Sequence, residues 1–348
     1  MILSILITLY FFLIKRSIKL LPIKPRPPVT IIFFINLIIF TLQRTISIVD
    51  KPLHMTITLN NLSAVIVSFH SEDVIHNCIK SITDKIQIIV VENSGKKDFA
   101  RELEDKYKNV RCILSYENLG MGVGNNLGII NVTTDYVFIL NPDIVLEKNA
   151  IEEIMIASKK LNTFGLIAPI SNNKKYPNYK LNETNKSINN IEPFKVESID
   201  GFAMILNLKI LKKIDQFRNN KFFDENIFLY LENDDLCKRI NKFESIYIVP
   251  TSKVSHLGAS AVNKKYSDQI ELSRNWHWIW SKFYFNRKHY GFLKAFIDGL
   301  PSFLSAMLKV LFYYLVNHKK KKIYLHRVLG FLNALFGNKS YYRPKIDN

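Results

Sequence analysis

The chain has 348 residues, 48% of them hydrophobic and 22% charged, a composition that allows one large or two ordinary globular domains. Its net charge of +18 is uneven: residues 1–54 hold seven Lys/Arg and one acidic residue, residues 282–348 hold thirteen and two, and the middle is nearly neutral. A nucleic-acid enzyme usually carries its basic stripe on the folded body. The pattern therefore argues against a nucleic-acid partner and favours an anionic membrane surface.

Two apolar runs, residues 1–14 and 29–42, lie within the first 54 residues. Each is shorter than the roughly 17–25 residues that a helix needs to span a bilayer. Three interpretations stay open: an interfacial or hairpin membrane anchor, an uncleaved signal-like segment, or a stretch upstream of a true start at Met55.

Strand, polar loop and helix alternate through the charge-balanced residues 55–262. Apolar runs at 63–69, 87–91 and 136–140 predict buried strands, and the first two are followed by helical spacing. This alternation predicts right-handed βαβ units and a mainly parallel sheet, whose polar loops gather at one edge. Ligands of open α/β sheets bind at that edge.

Polar residues follow each predicted strand. His70 and Ser71 come after the first strand, Glu92 closes the second, and Asn141-Pro142-Asp143 ends the third. A carboxylate at the carboxyl edge of a buried strand is either a turn residue or part of a ligand site, and three such loops favour a site.

The segment 117–128 reads ENLGMGVGNNLG. It does not fit the dinucleotide-binding GxGxxG spacing, because Asn125 stands where the third glycine belongs. It predicts either a Gly-rich turn whose backbone N–H groups and asparagines face a polar ligand, or a loop that only needs positive φ.

Acidic residues open the helical segment 231–240, and the strongly apolar segment 222–230 precedes them. Acids in a first helical turn are favoured by the helix dipole alone. Acids held near an interior are costly unless a cation or a proton transfer employs them. His256, just after the strand-like residues 246–249, is either an ordinary polar residue or a metal ligand.

The chain changes character after residue 263. All three tryptophans lie in 276–280, where an aromatic, basic stretch begins that suits either a membrane interface or a helix packed on the body. Three arrangements stay open for the apolar run 299–316, namely spanning a membrane, lying in the membrane interface or packing on the body. The four lysines 319–322 would hold it to anionic lipid.

Seven motifs in this order resemble the family-2 glycosyltransferases, specifically their rhamnosyltransferase-like branch, over residues 62–262. They are VIVSF, VVENS, ENLGMGVGNNLG, LNPD, GFAMI, FLYLENDDLCKR and SHLGAS. The resemblance implies a GT-A fold, that is, a Rossmann-like α/β fold with a mainly parallel mixed sheet. Residues 55–262 would form this domain, between an N-terminal extension, 1–54, and a helical membrane-associating region, 263–348.

The resemblance also implies the donor-binding residues. Ser68, His70 and Glu92 would hold the nucleobase and ribose, although the family usually has Asp at the position of Glu92. Asn118, Gly120 and Asn126 would lie on the diphosphate-sugar side.

The metal motif D-x-D corresponds to Asn141-Pro142-Asp143, in which only Asp143 keeps its carboxylate. It would hold Mg²⁺ or Mn²⁺ together with His256. Gly201 and Phe202 would lie on the acceptor side.

The motif E-D-x-D-L falls on residues 232–236, and here the sequence departs from the family. Asn233 replaces an Asp credited as general base, and an amide cannot accept a proton at neutral pH. Glu232 is the favoured base, Asp234 and Asp235 are alternatives, and impaired catalysis is a third possibility.

The resulting hypothesis is a membrane-associated, inverting glycosyltransferase on the cytoplasmic face of the inner membrane. It would move a sugar, with dTDP-rhamnose as the leading donor, to a polysaccharide or lipid-linked glycan. Two rivals are a sugar-phosphate nucleotidyltransferase and a catalytically impaired binding protein. Residues 70–73 do not resemble the phosphate loop of the first rival.

Overall fold

The computed structural model describes residues 56–173, 175–181, 191–217, 219–256, 261–344 and 346. The predicted extension 1–54 and the start at Met55 lie outside these residues. The strands are β1 (Leu62–Ser68), β2 (Gln87–Glu92), β3 (Val110–Leu114), β4 (Tyr136–Leu140), β5 (Ile144–Leu146), β6 (Leu166–Ser171), β7 (Tyr179–Lys180), β8 (Phe194–Lys195), β9 (Ser198–Ile199), β10 (Ala203–Asn207) and β11 (Ile246–His256). The helices are α1 (Glu72–Ser81), α2 (Lys97–Lys106), α3 (Gly120–Ile130), α4 (Ala150–Lys160), α5 (Leu208–Leu211), α6 (Glu232–Ile240), α7 (Ser267–Tyr290), α8 (Phe292–Leu315) and α9 (Lys320–Leu335).

The main sheet has the order β3-β2-β1-β4-β10-β6-β11-β5, with β8 beside β11. Strands β3, β2, β1 and β4 are parallel, and β6 is parallel to β11. β10 runs antiparallel to both of its neighbours, which makes the sheet mixed. The predicted α/β fold with a mainly parallel mixed sheet is confirmed.

The central strands form where the sequence has unbroken apolar runs. All residues of β1 and β4 are buried, since helices and loops cover both faces of the sheet. β1 has β2 on one side and β4 on the other, so the chain order reverses there. Such a switch point leaves a crevice at the carboxyl ends of the strands.

The C-terminal helices pack together around their own apolar core. Helices α7, α8 and α9 bury the core residues Trp276, Ile279, Trp280, Phe283, Ala295, Phe331 and Ala334. Helix α9 crosses α7 closely, because a Cβ at Gly330 would lie only 2.5 Å from the carbonyl oxygen of Trp276. Two of the three tryptophans are therefore core residues rather than membrane-interface residues.

Helix α7 also packs on the body of the fold. The Ser281 hydroxyl donates to the Leu229 carbonyl (2.8 Å), and the Tyr284 hydroxyl donates to Asp224 (3.0 Å). The sequence left two arrangements open for the aromatic stretch, a membrane interface or a helix packed on the body. Helix α7, which contains this stretch, packs on the body.

Helix α8 differs from its neighbours in exposure. It is the one helix of the described residues that is long and apolar enough to cross a membrane, by length and composition alone. Large apolar side chains along it are exposed, among them Leu308, Leu311 and Leu315.

Candidate functional site

A cavity of about 630 Å³ opens where β1 and β4 end. It is lined by residues from the loops after these strands, from the start of α3, from the segment 228–234 and from α7. Nine of the predicted site residues line it: Asn118, Gly120, Asn141, Asp143, Gly201, Phe202, Glu232, Asp234 and His256. The topology has thus brought together residues separated by up to 138 positions in the chain.

One wall of the cavity pairs Asp143 with His256. Strand β5 pairs with the end of β11, where Ile144 lies opposite His256. This register places the Asp143 Oδ2 atom 3.4 Å from the His256 Nε2 atom. Asp143 is only 2% exposed, and the His256 ring packs on Phe202 with ring centroids 4.4 Å apart.

The donor set of this pair fits a divalent cation. The Oδ1 atom of Asp143 is buried and has no hydrogen-bond partner among the described residues. A carboxylate oxygen suits Mg²⁺ or Mn²⁺, whereas an imidazole nitrogen suits a transition metal such as Mn²⁺ better than Mg²⁺. No group of three or more potential metal-ligating side chains forms within the described residues. The two residues would therefore leave most coordination positions to phosphate oxygens and water.

Unsatisfied buried polar atoms concentrate around the cavity. A buried donor or acceptor without a partner costs about 1–3 kcal/mol, so folded proteins keep few of them. In the part of the chain that the structure describes, seven such side-chain atoms occur. Five belong to predicted site residues, namely Ser68, His70, Asn141, Asp143 and Glu232. This concentration is typical of a site built to bind a polar ligand.

Glu232, at the start of α6, also lines the cavity. The two residues before it, Tyr230 and Leu231, have φ angles of 69° and 66°, a left-handed conformation that is rare for residues with a Cβ. The Met121 N–H donates to the Phe228 carbonyl (2.9 Å) and thereby helps to hold this turn. The turn sets the direction in which α6 begins and places Glu232 in the cavity wall.

The environment of Glu232 prepares it for proton transfer. Burial raises the pKa of its carboxyl group to about 7, and the nearby Asp234 carboxylate adds to this rise. Its Oε2 atom is buried without a partner among the described residues. A carboxylate with a pKa near the working pH is well matched to general base catalysis.

Asn233 and Asp234, which also line the cavity, have partners of their own. The Asn233 amide donates to the Ile199 carbonyl (2.8 Å), which ties α6 to β9. The Lys180 ammonium on β7 lies 2.8 Å from the Asp234 carboxylate. Asp234 therefore already has a cationic partner, which makes it a weaker proton acceptor than Glu232.

Asp235, predicted as a catalytic residue, does not line the cavity. Its carboxylate is fully buried between Arg239 Nε (2.8 Å), Lys288 Nζ (2.6 Å) and His289 Nε2 (2.8 Å). Asp235 lies almost one helical turn beyond Glu232, and there it meets Lys288 and His289 of α7 instead of the cavity. It anchors α7 to the body.

Three predicted donor-binding residues at the ends of β1 and β2 lie behind the cavity wall. The Glu92 carboxylate accepts from the Lys96 N–H (2.8 Å), the Ser94 N–H and the Ser94 hydroxyl, so it shapes its own loop. The His70 ring packs against Tyr266, with centroids 4.6 Å apart, and burial lowers its pKa. Ser68 is buried at the end of β1.

Asn126 is likewise structural in this arrangement. Its side chain accepts from the Phe223 N–H (2.9 Å) and donates to the Phe223 carbonyl (2.9 Å), which fastens α3 to the segment before α6. Gly120 does require a glycine, because its φ is +78° and a Cβ would lie 2.5 Å from the Phe228 carbonyl oxygen. Further along α3, Gly128 lets the helix approach Val65 of β1.

Sequence reasoning missed cavity residues that motifs do not mark. Asp200 precedes Gly201 in the wall, and burial raises the pKa of its carboxyl group, with a further contribution from Asp234. Arg274 and Trp278 come from α7, in a region that the resemblance does not cover. Their spacing of four residues was visible in the sequence, but the face of α7 that meets the cavity was not.

Comparisons with known proteins agree with this architecture. Residues 63–215 match the model of the family described as Glycosyl transferase family 2. The chain is 26% identical over 206 residues to the low-salt glycan biosynthesis hexosyltransferase Agl10 of Haloferax volcanii. That match covers 53% of this chain and 62% of Agl10, so it spans less than two thirds of the relative.

Three solved structures are distantly similar. The mannosyltransferase PcManGT from Pyrobaculum calidifontis, in complex with GDP-Man and Mn²⁺, gives a TM-score of 0.46 at 12% identity over 80% of this chain and 88% of that one. TarS 1-349 of S. aureus gives 0.44 at 13% identity over 81% and 93%. GalNAc-T7 with UDP, GalNAc and Mn²⁺ gives 0.44 at 14% identity over 56% and 43%.

Proposed function

Residues 63–215 form a glycosyl transferase family 2 domain, and on that premise we propose that the protein is an inverting glycosyltransferase that uses a nucleotide-diphosphate sugar. The observation that carries the proposal is one cavity that holds both a candidate cation site and a candidate base. Asp143, His256 and the half-buried Glu232 all line it. The similarity to a hexosyltransferase supports the same class of reaction.

The Asp143 and His256 wall would bind the diphosphate end of the donor through a divalent cation. Asp143 offers a buried carboxylate oxygen, and His256 would supply a ring nitrogen from the end of β11. A bound Mg²⁺ or Mn²⁺ supplies positive charge that offsets the charge developing on the leaving diphosphate. Asn118 and Asn141 offer amide groups in the same cavity for polar groups of the donor.

Glu232 would act as the general base. Its carboxylate takes the proton of the acceptor hydroxyl as that oxygen attacks the anomeric carbon from the side opposite the diphosphate. One displacement of this kind inverts the anomeric centre, whereas retention through a covalent intermediate needs a second, nucleophilic carboxylate beside the sugar. Proton abstraction by a positioned base typically accelerates a reaction by about 10²–10⁴-fold.

The donor and acceptor classes follow from the resemblance and from the C-terminal helices. The rhamnosyltransferase-like motifs support dTDP-rhamnose as the first donor to test. The exposed apolar face of α8 and the lysines after it support an anionic membrane surface as partner and a polysaccharide or lipid-linked glycan as acceptor. The protein would then work at the cytoplasmic face of the inner membrane in cell-surface glycan synthesis.

A donor panel tests the proposal. The purified full chain is incubated with dTDP-, UDP- and GDP-sugars, with Mn²⁺ or with a chelator, and released nucleoside diphosphate is measured. We expect release from one donor class, dependent on the metal and lost in the Glu232→Gln variant. Absence of release from every donor, with membrane extract supplied as a source of acceptors, would contradict the proposal.

The same assay separates the rival functions. Pyrophosphate formed from a nucleoside triphosphate and a sugar phosphate would identify a nucleotidyltransferase. Donor binding without release, under all conditions, would identify an impaired binding protein, the alternative that Asn141 and Asn233 raise.

A further inference from the structure

Helix α7 brings to the cavity residues with no role in the proposed transfer. Ile270, Arg274 and Trp278 are spaced four residues apart, so they share one face of α7, and all three line the cavity. The opposite face of α7 carries the buried Trp276 and Trp280. The helix therefore serves both the C-terminal core and the wall of the site.

Trp278 is the exposed member of the tryptophan group. It is 45% exposed, whereas Trp276 is 1% and Trp280 is 2% exposed. Its ring meets the Tyr230 ring edge to face, with centroids 5.4 Å apart and an interplanar angle of 86°. A partly exposed indole that lines the cavity suits the C–H face of a sugar ring, because its π-system is electron-rich on the ring face.

Arg274 is a cation of the cavity wall without an ion pair among the described residues. It is half-buried, and it lies near enough to Tyr230 to lower the pKa of that phenol, which burial raises. A planar guanidinium in such a wall is suited to binding a phosphate through two hydrogen bonds.

The position of these residues assigns them to the acceptor. Tyr230, which touches Trp278, lies two residues before Glu232, and the proposed base has to reach the acceptor hydroxyl. A ligand that covers Trp278 therefore lies on the side of Glu232 rather than beside Asp143.

We propose that α7 forms an acceptor subsite in which Trp278 stacks on a sugar ring and Arg274 binds a phosphate attached to that sugar. The acceptor is then a glycosyl phosphate, either free or esterified to a lipid. This inference rests on the proposed function for the meaning of the site, but binding of the acceptor can be measured without transfer.

The test uses the full chain in non-ionic detergent and measures binding by calorimetry and by tryptophan fluorescence. The probes are hexose 1-phosphates, their decyl phosphodiesters, the matching neutral methyl glycosides and inorganic phosphate. Each is titrated with and without Mn²⁺ and nucleoside diphosphate, in case the acceptor binds second. We expect a hexose 1-phosphate to bind at least about tenfold more tightly than its methyl glycoside.

Two variants separate the two contacts. Arg274→Ala should bring glycosyl phosphate and methyl glycoside to within about twofold of each other, and Arg274→Lys should keep part of the preference. Trp278→Ala should weaken both ligands and abolish the ligand-dependent fluorescence change, since the other two tryptophans are buried. Arg101→Ala on α2 and Phe312→Ala on α8 are exposed controls, and neither should alter binding.

The outcomes are distinct from those of the donor panel. If no probe binds the wild type, or if Arg274→Ala keeps the phosphate preference, the subsite is wrong even when donor turnover is normal. If glycosyl phosphates bind as expected while no donor is turned over, the subsite stands and the proposed transfer fails. Tighter binding of the decyl phosphodiesters than of the free phosphates would identify the lipid-linked source.

Discussion

Tyr230 and Leu231 adopt consecutive left-handed backbone conformations directly before Glu232. Such conformations cost about 1–3 kcal/mol each for residues with a Cβ, and they persist only where the surroundings hold them. Here the Phe228 and Leu229 carbonyls are fixed by hydrogen bonds from α3 and α7. The strained turn therefore directly precedes the proposed base, Glu232.

A pair of substitutions at Leu231 tests this strain. Leu231→Gly should be more stable than Leu231→Ala by about 1 kcal/mol, because both lose the leucine contacts but only glycine is relaxed at positive φ. In a helix or strand the order would be reversed. Denaturant unfolding of the two variants measures the difference, and equal stabilities would show that the turn is unstrained.

Glu232→Gln should lower the rate of transfer by about 10²–10⁴-fold, because the amide cannot accept the proton of the acceptor hydroxyl. Donor affinity should change little, since the proposed diphosphate site is at Asp143 and His256 rather than at Glu232. Nucleoside diphosphate release and donor titration measure the two quantities, and a near-normal rate would assign the base elsewhere.

The pH dependence gives an independent check on Glu232. Because its pKa in the folded protein is about 7, the rate should fall as the pH drops below about 7 and the carboxylate becomes protonated. The same raised pKa means that the ionised group destabilises the fold at higher pH. Glu232→Gln should therefore be inactive yet slightly more heat-stable than the wild type at pH 8, which excludes misfolding as the cause of lost activity.

Asp143→Ala should weaken donor binding in buffer with Mn²⁺ and have little effect in buffer with chelator, because the lost carboxylate is the proposed metal ligand. Asp135→Ala is a matched control, since Asp135 precedes the other end of β4. Isothermal titration with the donor measures the affinities. An Asp143→Ala protein with wild-type affinity in both buffers would remove the metal role.

At the level of elements, α6 joins the cavity to the C-terminal helices. Its first residue, Glu232, lines the cavity, while Asp235 binds Lys288 and His289 of α7. The position of α7, and with it of Arg274 and Trp278, therefore depends on a buried ion network. Removing one partner from such a network leaves uncompensated buried charge.

Asp235→Asn should lower the free energy of unfolding by about 3–5 kcal/mol. Asp298→Asn is the control, because Asp298 forms an ion pair with Lys294 at the surface. It should lower the free energy of unfolding by less than about 1 kcal/mol. Chemical denaturation measures both. If Asp235→Asn instead abolished transfer without changing the free energy of unfolding, the alternative in which Asp235 is a catalytic residue would be favoured.

At the level of the whole molecule, a nearly neutral body carries a basic C-terminal region with an exposed apolar helix. Apolar area of this extent on α8 favours contact with lipid, and lysines 319–322 follow it directly. The active-site cavity shares α7 with this region, so membrane contact would keep the cavity near lipid-linked acceptors.

Replacing lysines 319–322 with glutamine should weaken binding to vesicles that contain anionic lipid by up to about 4 kcal/mol, at about 1 kcal/mol per charge. Four exposed lysines of the body, Lys97, Lys106, Lys108 and Lys148, make a control with the same change in net charge. Vesicle sedimentation at low and high salt measures the effect. Equal loss in the control would mean that total charge, not this segment, controls binding.

The amino-acid sequence alone determined the central strands β1, β2 and β4, the polar edge of the sheet, and the motifs at Asp143 and Glu232. These features are local, because a strand buried on both faces requires an unbroken apolar run and a parallel sheet collects its loops at one edge. The resemblance of the seven motifs to a known family likewise depends only on the residues and their order along the chain.

Only the tertiary structure decided which polar residues meet the cavity. Glu232 and Asp235 are three residues apart and chemically similar, yet the packing of α6 between the cavity and α7 gives them opposite surroundings. Glu92 and Asn126 satisfy backbone groups beside them, and Arg274 and Trp278 enter the site from a helix with no motif. The direction of a side chain depends on what its helix packs against, and that contact comes from residues far away in the chain.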